Sequence, residues 1–302
     1  MQYEVRHVTR YDYADEVPVS HHVTRLRPRR AANQRCLTHR LEVSPATSFA
    51  RARADYYGNE VTLLGLTSPH RQLVVTALSQ VEVHAPPTPA AGVTPPWETV
   101  RDALRGRTWS DDTAAAEFAV ASPMVTPSPA VAAYAAPAFP SGRPVFAAVL
   151  ELTQQIFRDF TFDPQATSVA TPVETVLRQR RGVCQDFAHL QVACLRALGL
   201  AARYVSGYLE TAPPAGQTKL VGTDASHAWV AFWCPGHGWI DVDPTNNLVV
   251  GARHITLAWG RDFADVSPLR GIVVSSGKHR LRVAVDVVPI PAVDGPESGC
   301  PA

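Results

Sequence analysis

At 302 residues with 46% apolar content, the chain has material for one large domain or two modest ones with substantial cores. Lysine and arginine total 28 against 27 aspartate and glutamate, a formal net charge of +1, so no global field selects nucleic acid or an anionic membrane surface as a partner. No apolar run approaches a membrane span and the first residues lack a signal-peptide pattern; five cysteines at 36, 184, 194, 234 and 300 form neither a disulfide framework nor a CxxC metal site, so a reducing cytoplasm is the expected location.

In chain order, Tyr3, Val5, His7, Thr9, Tyr11 and Tyr13 alternate with Glu4, Arg6, Arg10 and Asp12, the period of a half-buried strand. Similar runs at 37–43, 61–66 and 73–83 are punctuated by Pro45, Gly58-Asn59 and Pro69, so residues 1–85 are expected to form an antiparallel β module. Within it, Arg25, Arg27, Arg29 and Arg30 alternate with Leu26 and Pro28 without the aromatics of a single-strand binding platform, which predicts a solvated strand edge. His21-His22, with His7 or His39, lack the spacing of a structural zinc site, so neither metal nor cofactor is expected.

Residues 86–144 read as a Pro/Ala-rich linker with a helical segment at 97–105, since the prolines of 86–96 exclude a regular helix or central strand. After Pro144 a helix is expected, with Phe146, Val149, Thr153, Ile156, Phe157 and Phe160 on one face. A second follows Gly182, where Phe187, Leu190, Gln191, Cys194, Leu195 and Leu198 recur at three- and four-residue steps before the stop at Gly199. Ala188, Val192 and Ala193 make most of its surface apolar, so it belongs at the centre of a core. Strands are expected at 201–209, 228–233, 239–242 and 281–287, the last returning to pair with the N-terminal sheet, and the tail 291–302 to fray. The core is thus assigned to 145–290.

Acyl transfer by cysteine requires a thiolate, which the unpaired N–H groups and dipole of a helix N-terminus favour. Cys184 stands at such a start, beside Arg178, Arg180 and Arg181, with Gly182 expected to turn the backbone into the helix. Cys194 falls in the apolar stripe, and Cys36, Cys234 and Cys300 have no feature beyond packing. Among eleven histidines, His189 lies about 140° around the helix from Cys184, whereas His227 opens the strand Ala228-Trp229-Val230 and is the candidate base. Asp241 and Asp243, two residues apart on one face of a strand, both qualify to orient the imidazole, and Asp243 before Pro244 equally suits a turn.

The segments Arg181-Gly182-Val183-Cys184-Gln185-Asp186-Phe187-Ala188-His189, Ser226-His227-Ala228-Trp229-Val230, Gly238-Trp239 and Asp243-Pro244-Thr245-Asn246, in this order, resemble the bacterial transglutaminase-like proteins. Ala202–Tyr208 and Gly260-Arg261-Asp262 extend the likeness, and Arg25-Leu26-Arg27-Pro28-Arg29 with Asp55-Tyr56-Tyr57-Gly58-Asn59 resemble the β-rich module that accompanies that core. The resemblance implies an α+β fold, an N-terminal antiparallel β module plus a papain-like core whose central helix packs on an antiparallel sheet. It implies Cys184 as nucleophile, His227 as base and Asp243, rather than Asp241, as orienting carboxylate. The Cys184 N–H is the natural first oxyanion donor; in Phe160-Thr161-Phe162 an aromatic without a hydroxyl stands where relatives often carry tyrosine, and the second donor stays open between Gln179, a nearby tyrosine or tryptophan, and backbone. The implied reaction is amide acyl transfer through a thioester, by a peptidase or amidase or by glutamine transamidation, on a peptide or protein substrate. A catalytically silent scaffold that keeps the core is the alternative.

Overall fold

The computed structural model describes residues 1–106, 112–211, 226–274 and 277–291. The opening alternation becomes β1 (Gln2–Val17), with Tyr3, Val5, His7 and Thr9 inward. It is followed by β2 (Ser20–Thr24), β3 (Gln34–Ser44), β4 (Phe49–Ala54), β5 (Glu60–Leu66) and β6 (His70–Val83). The helical middle contributes α1 (Trp97–Gly106), α2 (Asp112–Ala116), α3 (Pro129–Ala135) and α4 (Val145–Asp159). Next come β7 (Thr161–Phe162), α5 (Val173–Gln179), β8 (Arg181–Gly182) and α6 (Cys184–Ala197). The chain continues with β9 (Ala202–Leu209), β10 (Ser226–Cys234), β11 (Gly238–Asp243), β12 (Leu248–Val249), β13 (His254–Gly260), α7 (Phe263–Val266), β14 (Leu269–Val273) and β15 (His279–Ile290). No helix among the described residues is long and apolar enough to cross a membrane.

Two four-stranded antiparallel sheets, ordered β15-β1-β6-β3 and β14-β2-β5-β4, form the β module. Tyr13, Val17, Leu26, Leu66, Leu73 and Val75 cluster between them, as two amphipathic sheets require. The module is closed by the end of the chain: β15 runs along β1 from Gln2↔Ile290 to Tyr13↔His279, with Val285 and Val287 buried. The arginine run departs from its expectation. It lies after β2 rather than on a strand edge; Arg25 pairs with Asp55 at 3.1 Å, and Arg29 stacks on Trp259 of the core at 3.4 Å. Leu26 and Pro28 are buried between them, which draws Arg25 and Arg29 inward, while Arg27 and Arg30 stay exposed as expected.

The core sheet is ordered β12-β11-β10-β9-β13, antiparallel throughout. One face presents Tyr204, Ala228, Val230, Phe232, Ile240 and Val242 to the cluster that surrounds α6. On α6 every residue from Asp186 to Arg196 is buried, in agreement with its all-round apolar pattern. Truncating Leu195, fully buried, would cost about 2–5 kcal/mol. α4 also packs there through Phe146, Val149, Thr153 and Ile156, but Phe157 turns out 51% exposed, because a face four residues wide cannot take an adjacent pair. At the β9–β13 edge of the sheet the β module packs on, with Tyr3, Val5, Val81 and Val83 against Tyr208, Ile255 and Leu257. Two module side chains satisfy the outer edge of β13 as a further strand would. Gln34 accepts from Thr256 N–H at 2.7 Å and donates to its carbonyl at 2.8 Å, and Asn59 does the same at Trp259, at 3.0 and 2.9 Å.

Candidate active site

The helix carrying Cys184 is launched from a short parallel pairing in which Phe162 lies beside Gly182. Val183 is extended, and its N–H donates to the Asp186 carboxylate at 2.8 Å, the half of a capping box available when the N-cap has no side-chain acceptor. Thr167 donates to the same oxygen at 2.6 Å, so a buried carboxylate in the first turn clamps the approach to the helix. Gly182 serves close approach rather than a tight turn: a Cβ there would lie 2.6 Å from that oxygen, and the left-handed residue is Arg180, at φ 55°. Cys184 is the first helical residue and is half-buried. Its N–H lies in the first turn, beyond the reach of intrahelical pairing, and the helix dipole favours an anion at the sulfur. The arginines nearby point elsewhere, Arg180 over Tyr134 and Phe160 and Arg181 toward Asp163 at 3.6 Å.

His227 lies in the first residues of β10 and Asp243 at the end of β11. His227 Nε2 is 2.7 Å from Asp243 Oδ2, and Cys184 lies close enough to the same imidazole to favour its charged form. Cys184, His227 and Asp243 therefore gather at one site. Asp243 is fully buried and meets more donors than the sequence suggested. Asn246 Nδ2 reaches Oδ2 at 2.7 Å, His254 Nε2 lies 3.3 Å from it, and Oδ1 accepts from the N–H groups of Thr245 at 2.9 Å and Asn246 at 3.2 Å. The turn role and the imidazole-binding role thus coexist in one side chain. Burial alone would raise the Asp243 carboxyl, but bonds from His227 and His254 hold it well below the ordinary carboxylate range. Burial alone would lower His227; Asp243 and Cys184 overcome it and push the imidazole up to about 10.

Asp241 accepts from Trp229 Nε1 at 2.8 Å instead of from His227. His189 is buried against Tyr204, accepts from Phe263 N–H at 3.1 Å and is drawn down to about 4, mainly by burial. Burial pushes Cys194 far above the thiol range and Cys234 up to about 11; Cys36 is also raised by burial, and Cys300 lies outside the described residues. Phe162 is 55% exposed beside the helix start, and Gln179 is exposed at the end of α5. Of the histidines weighed as zinc ligands, His7 bonds Thr9 and Tyr208, and His39 bonds Ser79. Among the described residues, the histidine and carboxylate donor atoms that gather within 4.8 Å are those of His227, Asp243 and His254, already bonded through the aspartate.

His254, Asn246 and Asp186 were not read from the sequence. Asn246 and Asp186 sit inside the quoted segments and needed only a test for short-range carboxamide and capping bonds. His254 comes from another strand, and no local pattern announces it.

A family model described as bacterial transglutaminase-like N-terminal region matches residues 3–82, and one for the transglutaminase-like superfamily matches residues 133–244. An uncharacterized protein of Mycobacterium tuberculosis is 42% identical over 95% of this chain and 93% of its own length, and one of Mycobacterium leprae is 33% identical over 94% and 97%. A protein-glutamine gamma-glutamyltransferase of Pseudomonas aeruginosa is 39% identical over 28% of this chain and 13% of its own length. A solved structure from Cytophaga hutchinsonii, described provisionally as a cysteine protease, shares the fold at TM-score 0.73 and 20% identity, covering 96% of this chain and 92% of that one. The two matched regions and the full-length relatives establish that this chain belongs to the transglutaminase-like superfamily and carries the bacterial N-terminal region of that family.

Proposed function

We propose that this protein is a cysteine-dependent acyl-transfer enzyme acting on amide bonds, with Cys184 as nucleophile, His227 as acid and base and Asp243 as the group that orients and charges the imidazole. The observation that carries the proposal is a buried carboxylate bonded to His227, with that imidazole beside a half-exposed cysteine at a helix N-terminus. With Asp243 anionic, His227 is pushed up to about 10, so the imidazole beside Cys184 carries its proton over the neutral range.

In the acylation step the Cys184 sulfur forms a bond to the amide carbon while the carbonyl π pair moves to oxygen. The oxyanion then lies next to the Cys184 N–H. Collapse of this adduct breaks the carbon–nitrogen bond, and His227 gives its proton to the departing ammonia or amine, leaving a thioester. Water, losing a proton to His227, attacks the thioester; the oxygen–carbon bond forms, the carbon–sulfur bond breaks, and a carboxylic acid leaves. An amine in place of water yields the transamidated product. We favour hydrolysis, hence a peptidase or amidase, as the reaction.

The test is the pH dependence of iodoacetamide modification, with the alkylated residue located by mass spectrometry in the wild type and in His227→Ala. Cys184 is expected to react well below pH 8 in the wild type and to lose that reactivity without His227. A Cys184 that alkylates like an ordinary thiol in both proteins would overturn the proposal.

A further inference from the structure

The core-sheet face turned toward the β module carries two charges that acyl transfer does not use. Arg203 on β9, Ala231 on β10 and Asp241 on β11 form one row, since Ala231 pairs with Arg203 on one side and with Asp241 on the other. The charges therefore project from the same face two strands apart, about 10 Å between Cα atoms. Instead of reaching across to Asp241, the Arg203 guanidinium is clamped between the rings of Trp239 at 4.2 Å and Trp259 at 3.8 Å. Arg29 covers the other face of Trp259 at 3.4 Å and seals the clamp.

Arg203 is only 8% exposed, and among the described residues it makes no hydrogen bond or ion pair; its Nε is shut off from solvent without an acceptor. Burial draws it down to about 9, which leaves it charged at neutral pH. Buried charges without partners are costly, and indole faces offset only part of that cost. Asp241, half-buried in this face, has one donor, Trp229 Nε1. His254 supplies a second unsatisfied atom. Its Nε2 lies 3.3 Å from the Asp243 carboxylate, which accepts, so Nε2 bears a hydrogen; in the neutral ring Nδ1 is then an acceptor, and among the described residues it is buried without a partner.

These groups line one cavity of about 550 Å³, walled by Arg203, Asp241, Trp239, Trp259 and His254 and roofed by residues 31–33 and 84–88 of the β module and its exit. Its size is that of a small-molecule site. A simple anion there would face Asp241, and a simple cation would face Arg203. We infer that the cavity binds a free α-amino acid with an apolar side chain: its carboxylate accepts from Arg203, its ammonium donates to Asp241 and to His254 Nδ1, and its side chain lies on the indoles. Because His254 also touches Asp243, the ligand would rest one side chain away from the orienting carboxylate. The inference does not depend on the acyl-transfer reading, so it is tested in Cys184→Ala, where no turnover intervenes.

Isothermal titration calorimetry of the full chain carrying Cys184→Ala would compare L-phenylalanine and L-leucine with 3-phenylpropionate, which lacks the ammonium, and 2-phenylethylamine, which lacks the carboxylate. At least one amino acid is expected to bind about tenfold or more tightly than either single-charge analogue. Adding Arg203→Met should erase the preference over 2-phenylethylamine, and adding Asp241→Asn the preference over 3-phenylpropionate. Should either variant fail to fold, the four-ligand comparison in the Cys184→Ala chain decides alone. No binding of either amino acid up to about 10 mM, binding no tighter than 3-phenylpropionate, or unchanged binding in a folded Arg203→Met protein would overturn the inference.

Discussion

At the residue scale the site is governed by how many donors one buried carboxylate collects. Asp243 holds His227 and is itself held by Asn246 and the following backbone, so its charge is fixed before any substrate arrives. Asp243→Asn would keep the shape and lose the charge; kcat is expected to fall about 10³- to 10⁴-fold while the protein still folds, checked by steady-state kinetics beside circular dichroism. Asn246→Ala removes a single bond to an ionised group, and the loss should be smaller, about ten- to a hundredfold in kcat. Equal losses in the two variants would show that Asn246 does more than brace the carboxylate. Cys184 and His227 were legible because each stands at the edge of a strongly patterned element. From the residues alone Asp243 was inseparable from Asp241, since both occupy the same strand face. What separates them is the partner across the fold, Trp229 for one and His227 for the other.

At the element scale, the central helix is held at its start by a contact of atomic tightness. Gly182→Ala would drive a Cβ into the Asp186 carboxylate and displace it from Val183 and Thr167. We expect a loss of about 1–3 kcal/mol in stability and a fall in Cys184 alkylation rate at neutral pH, because the N-terminal turn that carries the sulfur shifts. Chemical denaturation with the alkylation assay checks both, and wild-type alkylation at reduced stability would dissociate the clamp from the sulfur. The helix itself, the strands bearing His227 and Asp243, and the opening β-strand were all legible, since their apolar periods are long and unbroken. The short pairing of β7 with β8 was not, for two residues carry no period. Nor was the edge cover of β13, in which Gln34 and Asn59 imitate a strand with side-chain amides and leave no strand pattern to read.

At the scale of the whole molecule, β15 returns to pair with β1, and histidines buried in both the β module and the core set the response to pH. The arginine run illustrates why this level resists reading from sequence: its alternation suited a solvated edge, yet Arg29 is claimed by Trp259, over two hundred residues away in the chain. His7, His22, His39 and His189 are all drawn down to about 4, chiefly by burial. In the unfolded chain each takes a proton near pH 6.5. Between pH 6.5 and 4 the unfolded state therefore binds more protons than the native one, and stability falls as the pH drops through that window. His227 acts in the opposite sense. Its native value, about 10, lies above the unfolded one, so its contribution is fully present below pH 6.5 and is lost as the pH rises toward 10. Stability should thus peak near pH 6 to 7, with an acid limb steeper than the alkaline limb because four groups drive the first and His227 the second. Thermal melts across pH 4 to 10 in the wild type and in His227→Gln check the assignment. The variant should lose the alkaline limb between pH 6.5 and 10 and keep the acid limb; an alkaline limb unchanged by the substitution would remove His227 as its source.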